Sequence, residues 1–194
     1  MPLILLLLPM LIASPSYSAD NKIENWYTFW AMGPTSNVYP GDLDKELKEL
    51  EKTPGVDHFA ATFDFLGFYW PIGEQTLLGG VVHSTSDAYE VLGLKFDIYN
   101  YLPAFSMMHF VKHRIGQGVF VRADVGAAQH VVTVKGFGLE EETESNFGTG
   151  FLLGGGYGFA PWSGTRILLN GTYSLHHVEG DVTTSLSFSV GGLF

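Results

Sequence analysis

The final stretch of the chain, Thr183 to Phe194, constrains its fold more than any other. Leu186, Phe188, Val190, Gly192 and Phe194 fall on one side of a period of two, and Ser185, Ser187 and Ser189 on the other. Gly191 and Leu193 interrupt the polar row near the terminus. Successive side chains of a strand point to opposite faces, so this is a strand with an apolar face and a hydroxyl face. It ends on an aromatic residue at its last position. Such a strand needs partners along both edges and two different environments, one for each face.

The same period recurs along the chain and divides it into eight strand-like segments. The first is about Asn25 to Gly33. The second, Asp57 to Tyr69, sets Phe59, Ala61, Phe63 and Phe65 against His58, Thr62 and Asp64. The third is Thr76 to Thr85, and the fourth about Asp97 to Val111, where Pro103 blurs the alternation. The fifth, Val119 to Val134, opposes Val119, Val121, Ala123 and Val125 to Arg122, Asp124 and Gly126. In the sixth, Gly148 to Phe159, the row Phe151, Leu153, Tyr157, Phe159 is opposed to the small residues Gly148, Gly150, Gly154, Gly156 and Gly158. The seventh, Arg166 to Val178, sets Ile167, Leu169, Tyr173 and Leu175 against Arg166, Asn170, Thr172 and Ser174. The terminal strand is the eighth.

Except for the last hairpin, the connections alternate in length. Pro34 to Val56, Ser86 to Phe96 and Gly136 to Ser145 are long; Pro71 to Gln75, Lys112 to Gly118, Pro161 to Gly164 and the last hairpin are short. Short turns at one end and long loops at the other are the pattern of a transmembrane barrel, and an even strand number puts both termini at the short-turn end. Trp26, Trp70 and Trp162 collect there with Tyr69, Phe159 and Phe194, as an interfacial aromatic girdle would. The first long loop holds one helix: Asp42 stands at its start, Leu43, Leu47 and Leu50 mark one face, and Pro54-Gly55 stops it. This helix is expected over the barrel mouth or among the loops.

Composition narrows the class. A chain of 194 residues with 46% hydrophobic residues is a single domain and not a disordered segment. The absence of cysteine excludes disulfides, thiolate metal sites and a cysteine nucleophile. A net charge of -10 argues against nucleic acid as a partner. The acid lies in Asp42 to Glu51 and Glu140 to Glu144, which read as solvated loop surface, with divalent-cation or lipopolysaccharide contact as the alternative. Residues 1–18 read as a signal peptide: Leu3 to Ile12 is apolar, and cleavage after Ser18 or Ala19 follows small residues, although no Lys or Arg precedes the apolar run. Residues 19–194 are then the barrel domain. No later stretch is apolar for long enough to be a spanning helix, so any membrane crossing is made by strands.

From about Asn25 to Phe194 the chain resembles the small bacterial outer-membrane β-barrel family, the OmpA-like and OmpX-like eight-stranded group. The segments that carry the resemblance are Gly118 to Ala127 (GVFVRADVGA), Gly148 to Phe159 (GTGFLLGGGYGF) and the terminal Phe194. The resemblance implies an all-β fold: an eight-stranded antiparallel up-and-down transmembrane β-barrel with a short helix in the first long loop. It also implies residence in the Gram-negative outer membrane with both termini periplasmic. Implied partners are outer-membrane lipid, lipopolysaccharide and, through the C-terminal strand, the barrel-insertion machinery. The segments specify architecture and carry no catalytic signature.

Asp64, Arg122, Asp124 and Arg166 fall on the polar faces and are expected to form an ion-pair network filling the lumen, a narrow ion path being the alternative. The candidates for chemistry are His83, Ser86 and Asp87, with Ser84 and Glu90 beside them, near where an outer rim would lie. Outer-membrane lipid A deacylases and palmitoyltransferases use His, Ser and an acid there, but the spacing does not match theirs. His176 and His177 point to opposite faces of a strand and cannot share a metal. Gly154-Gly155-Gly156 is followed by no helix, so it is not a nucleotide loop. The reading is therefore a monomeric barrel with a structural or surface-interaction role, needing no metal or cofactor. A lipid-modifying enzyme, a small passive pore and a soluble ligand-binding barrel are its alternatives.

Overall fold

The computed structural model describes residues 23–162 and 164–194, with the side chain of Trp162 outside the described set. The segment 1–18, expected from the sequence to be a signal peptide, lies outside the described residues. Among those residues there are nine strands and one helix: β1 (Tyr27–Val38), α1 (Leu43–Glu51), β2 (Asp57–Ile72), β3 (Thr76–Val91), β4 (Leu94–Phe110), β5 (Gly118–Gly136), β6 (Leu139–Glu144), β7 (Gly148–Trp162), β8 (Thr165–Val178) and β9 (Asp181–Leu193). Eight of them close into an antiparallel barrel in the order β1-β2-β3-β4-β5-β7-β8-β9, with β9 returning to β1. The short β6 pairs with β5 alone and stands above the ring as a flap. At the seam, Thr28 and Phe194 exchange both backbone hydrogen bonds, at 2.9 and 3.0 Å.

Two of the three long loops expected from the sequence are hairpins. β3 and β4 run on through residues 86–96 and turn at Leu92-Gly93, and β5 and β6 turn at Phe137-Gly138. Both residues of each turn have positive φ (50° and 81° in each case), the backbone of the two-residue turn that matches strand twist. The glycine of each pair is visible in the sequence, but its partner is apolar instead of Asn or Asp, so the usual signal is missing. The strands therefore rise past the barrel rim on this side.

The alternation observed is the one the sequence implies. Leu169, Tyr173, Phe188 and Val190 are 41–63% exposed, whereas Asn170, Ser174, Ser187 and Ser189 are buried in the lumen. Pro103 does not break the pattern: Leu102 is buried, Pro103 outward and exposed. Lacking an N–H, Pro103 interrupts the β4–β5 ladder between Tyr101 and Ala104 while the β3–β4 ladder continues opposite Val82. The glycine row of β7 makes room in the lumen. A Cβ at Gly150 would stand 2.6 Å from Leu102 Cδ1, and one at Gly154 2.7 Å from Thr172 Cγ2.

One rim assignment is corrected. Leu66 has φ +52° at a bulge in β2, between Phe65 and Phe68. The extra residue shifts the phase, so Phe65 and Phe68 both face outward and Tyr69 turns into the lumen, fully buried. Tyr69 is therefore a core residue and not part of the aromatic girdle. Trp26, Trp70 and Phe194 are exposed on the outer face at the terminus end. Trp26 stacks on Phe68 at 5.2 Å, Trp70 meets Phe68 edge-on at 4.7 Å, and Phe194 stacks on Trp30 at 6.1 Å.

The alternation gives an accessibility prediction. Single cysteines at Leu169, Tyr173, Phe188 and Val190 are expected to react with a membrane-confined maleimide, and cysteines at Asn170, Ser174, Ser187 and Ser189 to be protected. The reverse pattern would mean the register is off by one residue.

Candidate functional site

The lumen is layered along its axis. At the terminus end an apolar floor is built from Tyr27, Phe29, Leu77, Met108, Phe110 and Phe120, all nearly or wholly inaccessible, with Ile115 of the β4–β5 turn plugging it from below. The Phe110 and Phe120 rings meet at 5.3 Å. Burying such side chains stabilises by about 1.5–3 kcal/mol each relative to exposure. Arg166 lies in this layer. Its Nε donates to the Ile115 carbonyl at 3.0 Å and its guanidinium stands 4.9 Å from the Tyr27 ring centroid.

Above the floor sits the ion cluster. Arg122 and Asp124 share the lumen face of β5 because they are two apart, and Asp64 faces them from β2. Arg122 donates through both terminal nitrogens to Asp64, at 2.8 and 2.9 Å, and through Nε and Nη2 to Asp124, at 3.0 and 2.6 Å. Asp64 also bonds His83 Nδ1 at 2.9 Å. Tyr69 Oη donates to Ser106 Oγ at 2.7 Å, and Ser106 donates in turn to Asp124 at 2.5 Å. The Phe29 ring on the far wall covers the guanidinium at 5.4 Å from its centroid. One cation thus holds two carboxylates from different strands, and every side chain named is buried. The sequence placed Arg166 with this group, but its described contacts put it in the layer below.

At the mouth a second cluster fastens α1 over the lumen. Asp87 accepts from Tyr39 Oη at 2.6 Å and Asn37 Nδ2 at 2.7 Å, and lies 2.9 Å from His58 Nε2. His58 stacks on Tyr89 at 4.5 Å and its Nδ1 is 3.5 Å from Glu51 of the helix, which also accepts from Tyr89 Oη at 3.3 Å. Tyr39, Leu47, Tyr89 and Ile98 pack together beneath α1. Burial, reinforced by the Asp87 carboxylate, pushes the Tyr39 hydroxyl well above its ordinary range, so it remains a donor to Asp87. The sequence singled out Asp87 but not His58 or Glu51. Glu51 reads there as solvated helix surface, and the contact that recruits it depends on how the loop folds back.

The candidates for nucleophilic chemistry do not converge. His83 and Asp87 face the lumen, where each bonds residues other than serine. Ser84 and Ser86 alternate with them and project to the opposite side of the wall, where both are buried between neighbouring side chains. Glu90 is exposed and pairs with Lys95 at 3.1 Å. His176 is buried in the lumen and His177 exposed, as their spacing requires. Among the described residues no group of three His, Cys, Asp or Glu side chains has the geometry to hold a metal ion.

No protein-family model matches the sequence, and no curated protein matches it. Solved structures do match its fold. The Ail protein (attachment invasion locus) of Yersinia pestis superposes with a TM-score of 0.52 at 15% identity, over 89% of this chain and all of that one. The same protein in complex with the heparin analogue sucrose octasulfate gives 0.54 at 15% identity over the same shares. Neisserial surface protein A gives 0.54 at 13% identity, over 88% of this chain and 96% of that one. The chain is similar to these proteins in fold: the closed eight-stranded antiparallel barrel of small outer-membrane proteins.

The Arg122 cluster yields a stability prediction. Arg122→Ala leaves Asp64 and Asp124 buried without their cation, which costs roughly 3–5 kcal/mol in a fully buried site. The unfolding midpoint in detergent is expected to fall accordingly. Adding Asp64→Asn is expected to cost less than its effect alone, because the two act on one network. Additive costs would show that Arg122 and Asp64 are not coupled.

Proposed function

We propose that the protein is an integral outer-membrane barrel with a sealed lumen, acting through the surface of its mouth in a structural or surface-contact role. The observation that carries this reading is how the side chains divide. The outer wall is a belt of exposed apolar residues, including Trp30, Phe63, Phe105, Val121, Phe151 and Phe188, while the charges Asp64, Arg122, Asp124 and Arg166 are turned inward. In water such a belt is a liability; in a bilayer it is the solvated surface. The termini then lie in the periplasm, and α1 and the β5–β6 hairpin face outside. The segment 1–18 serves export, and the protein works as a monomer.

The filled lumen supports a role other than conduction. The apolar floor, the Arg122 cluster and the helix across the mouth lie in series along any axial path. The separation of His83 from Ser84 and Ser86 favours a non-enzymatic role over lipid modification. The mouth is acidic, with Glu140, Glu141, Glu142 and Glu144 on the exposed flap and Glu46 and Glu49 on α1. A polysulfated ligand like the one bound to the Yersinia protein would meet these carboxylates unfavourably. They suit a cationic surface, or lipopolysaccharide phosphates bridged by divalent cations.

Gel migration and bilayer recording test this reading together. The protein extracted from outer membranes is expected to migrate as a compact band without heating and as a slower band after boiling, and to give no steady conductance in planar bilayers. Lipid A mass spectra are expected to be unchanged by its expression. A soluble protein with one migration position, an open channel or altered lipid A would each overturn the assignment.

A further inference from the structure

We propose that the barrel carries a site for an anionic phospholipid on the outer face of β2 to β5, with the phosphate on the β4–β5 turn and an acyl chain in the apolar trough beside it. The proposal rests on the membrane reading above and adds to it a specific ligand at a specific place.

The turn between β4 and β5 presents Lys112, His113 and Arg114 in succession, all exposed. In a chain of net charge -10 this is a concentration of base, and it lies at the end opposite the acidic mouth. Glu74 lies beside it, its carboxylate 3.4 Å from Arg114 Nε. The turn is held in place. Ile115 N–H donates to the Glu74 carbonyl at 2.9 Å, Phe110 N–H to that of Gln75 at 2.8 Å, and Gln117 N–H to that of Arg114 at 3.0 Å. Ile115 itself is buried in the barrel floor. The two neighbouring turns therefore form one platform, and a groove between them is lined by the basic Lys112, His113 and Arg114 on one side and by Gly73, Glu74, Gln75 and Thr76 on the other, with Ile72 at its edge.

Ile72 also borders a second depression, on the apolar wall. Trp70, Leu78, Phe105, Met107 and Val125 line it, with the small residues Gly79 and Ala123. The strand register explains its shape. Trp70 pairs with Leu78, Leu78 with Met107 and Met107 with Ala123, so one row crosses four strands and ends on a methyl group. Trp70 at one end and Phe105, 82% exposed, on the row above stand proud of it. A basic platform continuous with an apolar trough matches a molecule with a phosphate at one end and a hydrocarbon chain at the other. A zwitterionic lipid brings its own cation to the phosphate and gains less from Lys112 and Arg114.

Native mass spectrometry of the full chain, refolded in neutral detergent, tests the proposal. Phosphatidylglycerol and phosphatidylcholine with identical acyl chains are offered in turn, and inorganic phosphate separately. Phosphatidylglycerol adducts are expected to survive at collision energies that strip phosphatidylcholine. The double variant K112Q/R114Q is expected to lower phosphatidylglycerol retention by roughly an order of magnitude. A123L, which fills the trough and leaves the turn intact, is expected to reduce retention without restoring parity between the lipids. Equal retention of both lipids, no effect of K112Q/R114Q, or inorganic phosphate competing off the lipid at equimolar concentration would overturn it. Flotation of the same sample with vesicles separates the two claims. Flotation without lipid selectivity sinks this site alone, whereas failure to float sinks the membrane reading and the site with it.

Discussion

Arg122 is one guanidinium shared by two carboxylates inside a tube whose wall is apolar on its other side. A cation taken out of water is stable there only if its donors are matched, and the matching groups come from β2 and from β5 itself. That requirement ties strands that are not neighbours in the ring. Asp64 can reach Arg122 only if β2 and β5 face each other across the lumen at the right height, which fixes both stagger and closure. Ser106 and His83 then fall into place as second partners of the same carboxylates, with Tyr69 donating to Ser106 behind them.

The rest of the molecule is arranged around this layer. Below it, aromatic and aliphatic side chains fill the end of the tube near the termini, with Arg166 over the Tyr27 ring. Above it, the lumen becomes hydroxyl- and imidazole-lined, and α1 is fastened across the opening by Asp87, His58 and Glu51. The outer wall, proposed above to face lipid, needs no such matching there, because lipid accepts any apolar side chain. That is why the outward rows of β5, β8 and β9 are varied in size, whereas the inward rows alternate charge, hydroxyl and glycine.

Much of the barrel was legible in the sequence because lumen and lipid impose opposite demands at a period of two. Ser185, Ser187 and Ser189 against Phe188 and Val190 are enough to set the face of β9, and Arg122 and Asp124 against Val121 and Val125 do the same for β5. What escaped the reading involved departures from that period or contacts between distant segments. The bulge at Leu66 changes the phase of β2 and moves Tyr69 inward, and no residue type there announces a positive φ. The turns at Leu92-Gly93 and Phe137-Gly138 lack the Asn or Asp that marks such hairpins, so two strand extensions read as loops. Trp30, which stacks on Phe194 across the seam, is identifiable only once β1 is known to pair with β9. The mouth cluster was half legible, since Asp87 stood out as an acid near a rim while its partner His58, and Glu51 on the other side of that imidazole, are distant in sequence. The separation of His83 from Ser86 follows from strand alternation once β3 is known to continue through them.

A sealed, ion-paired Arg122 is what the barrel is built around, and NMR of its side chain in the folded barrel tests this most directly. With Nε and both terminal nitrogens held by Asp64 and Asp124, the guanidinium protons are expected as separate, slowly exchanging resonances that persist at neutral pH and vanish in Arg122→Lys. A single averaged signal exchanging with water as fast as that of an exposed arginine would contradict it, because the centre of the lumen would then be open and its charges unpaired.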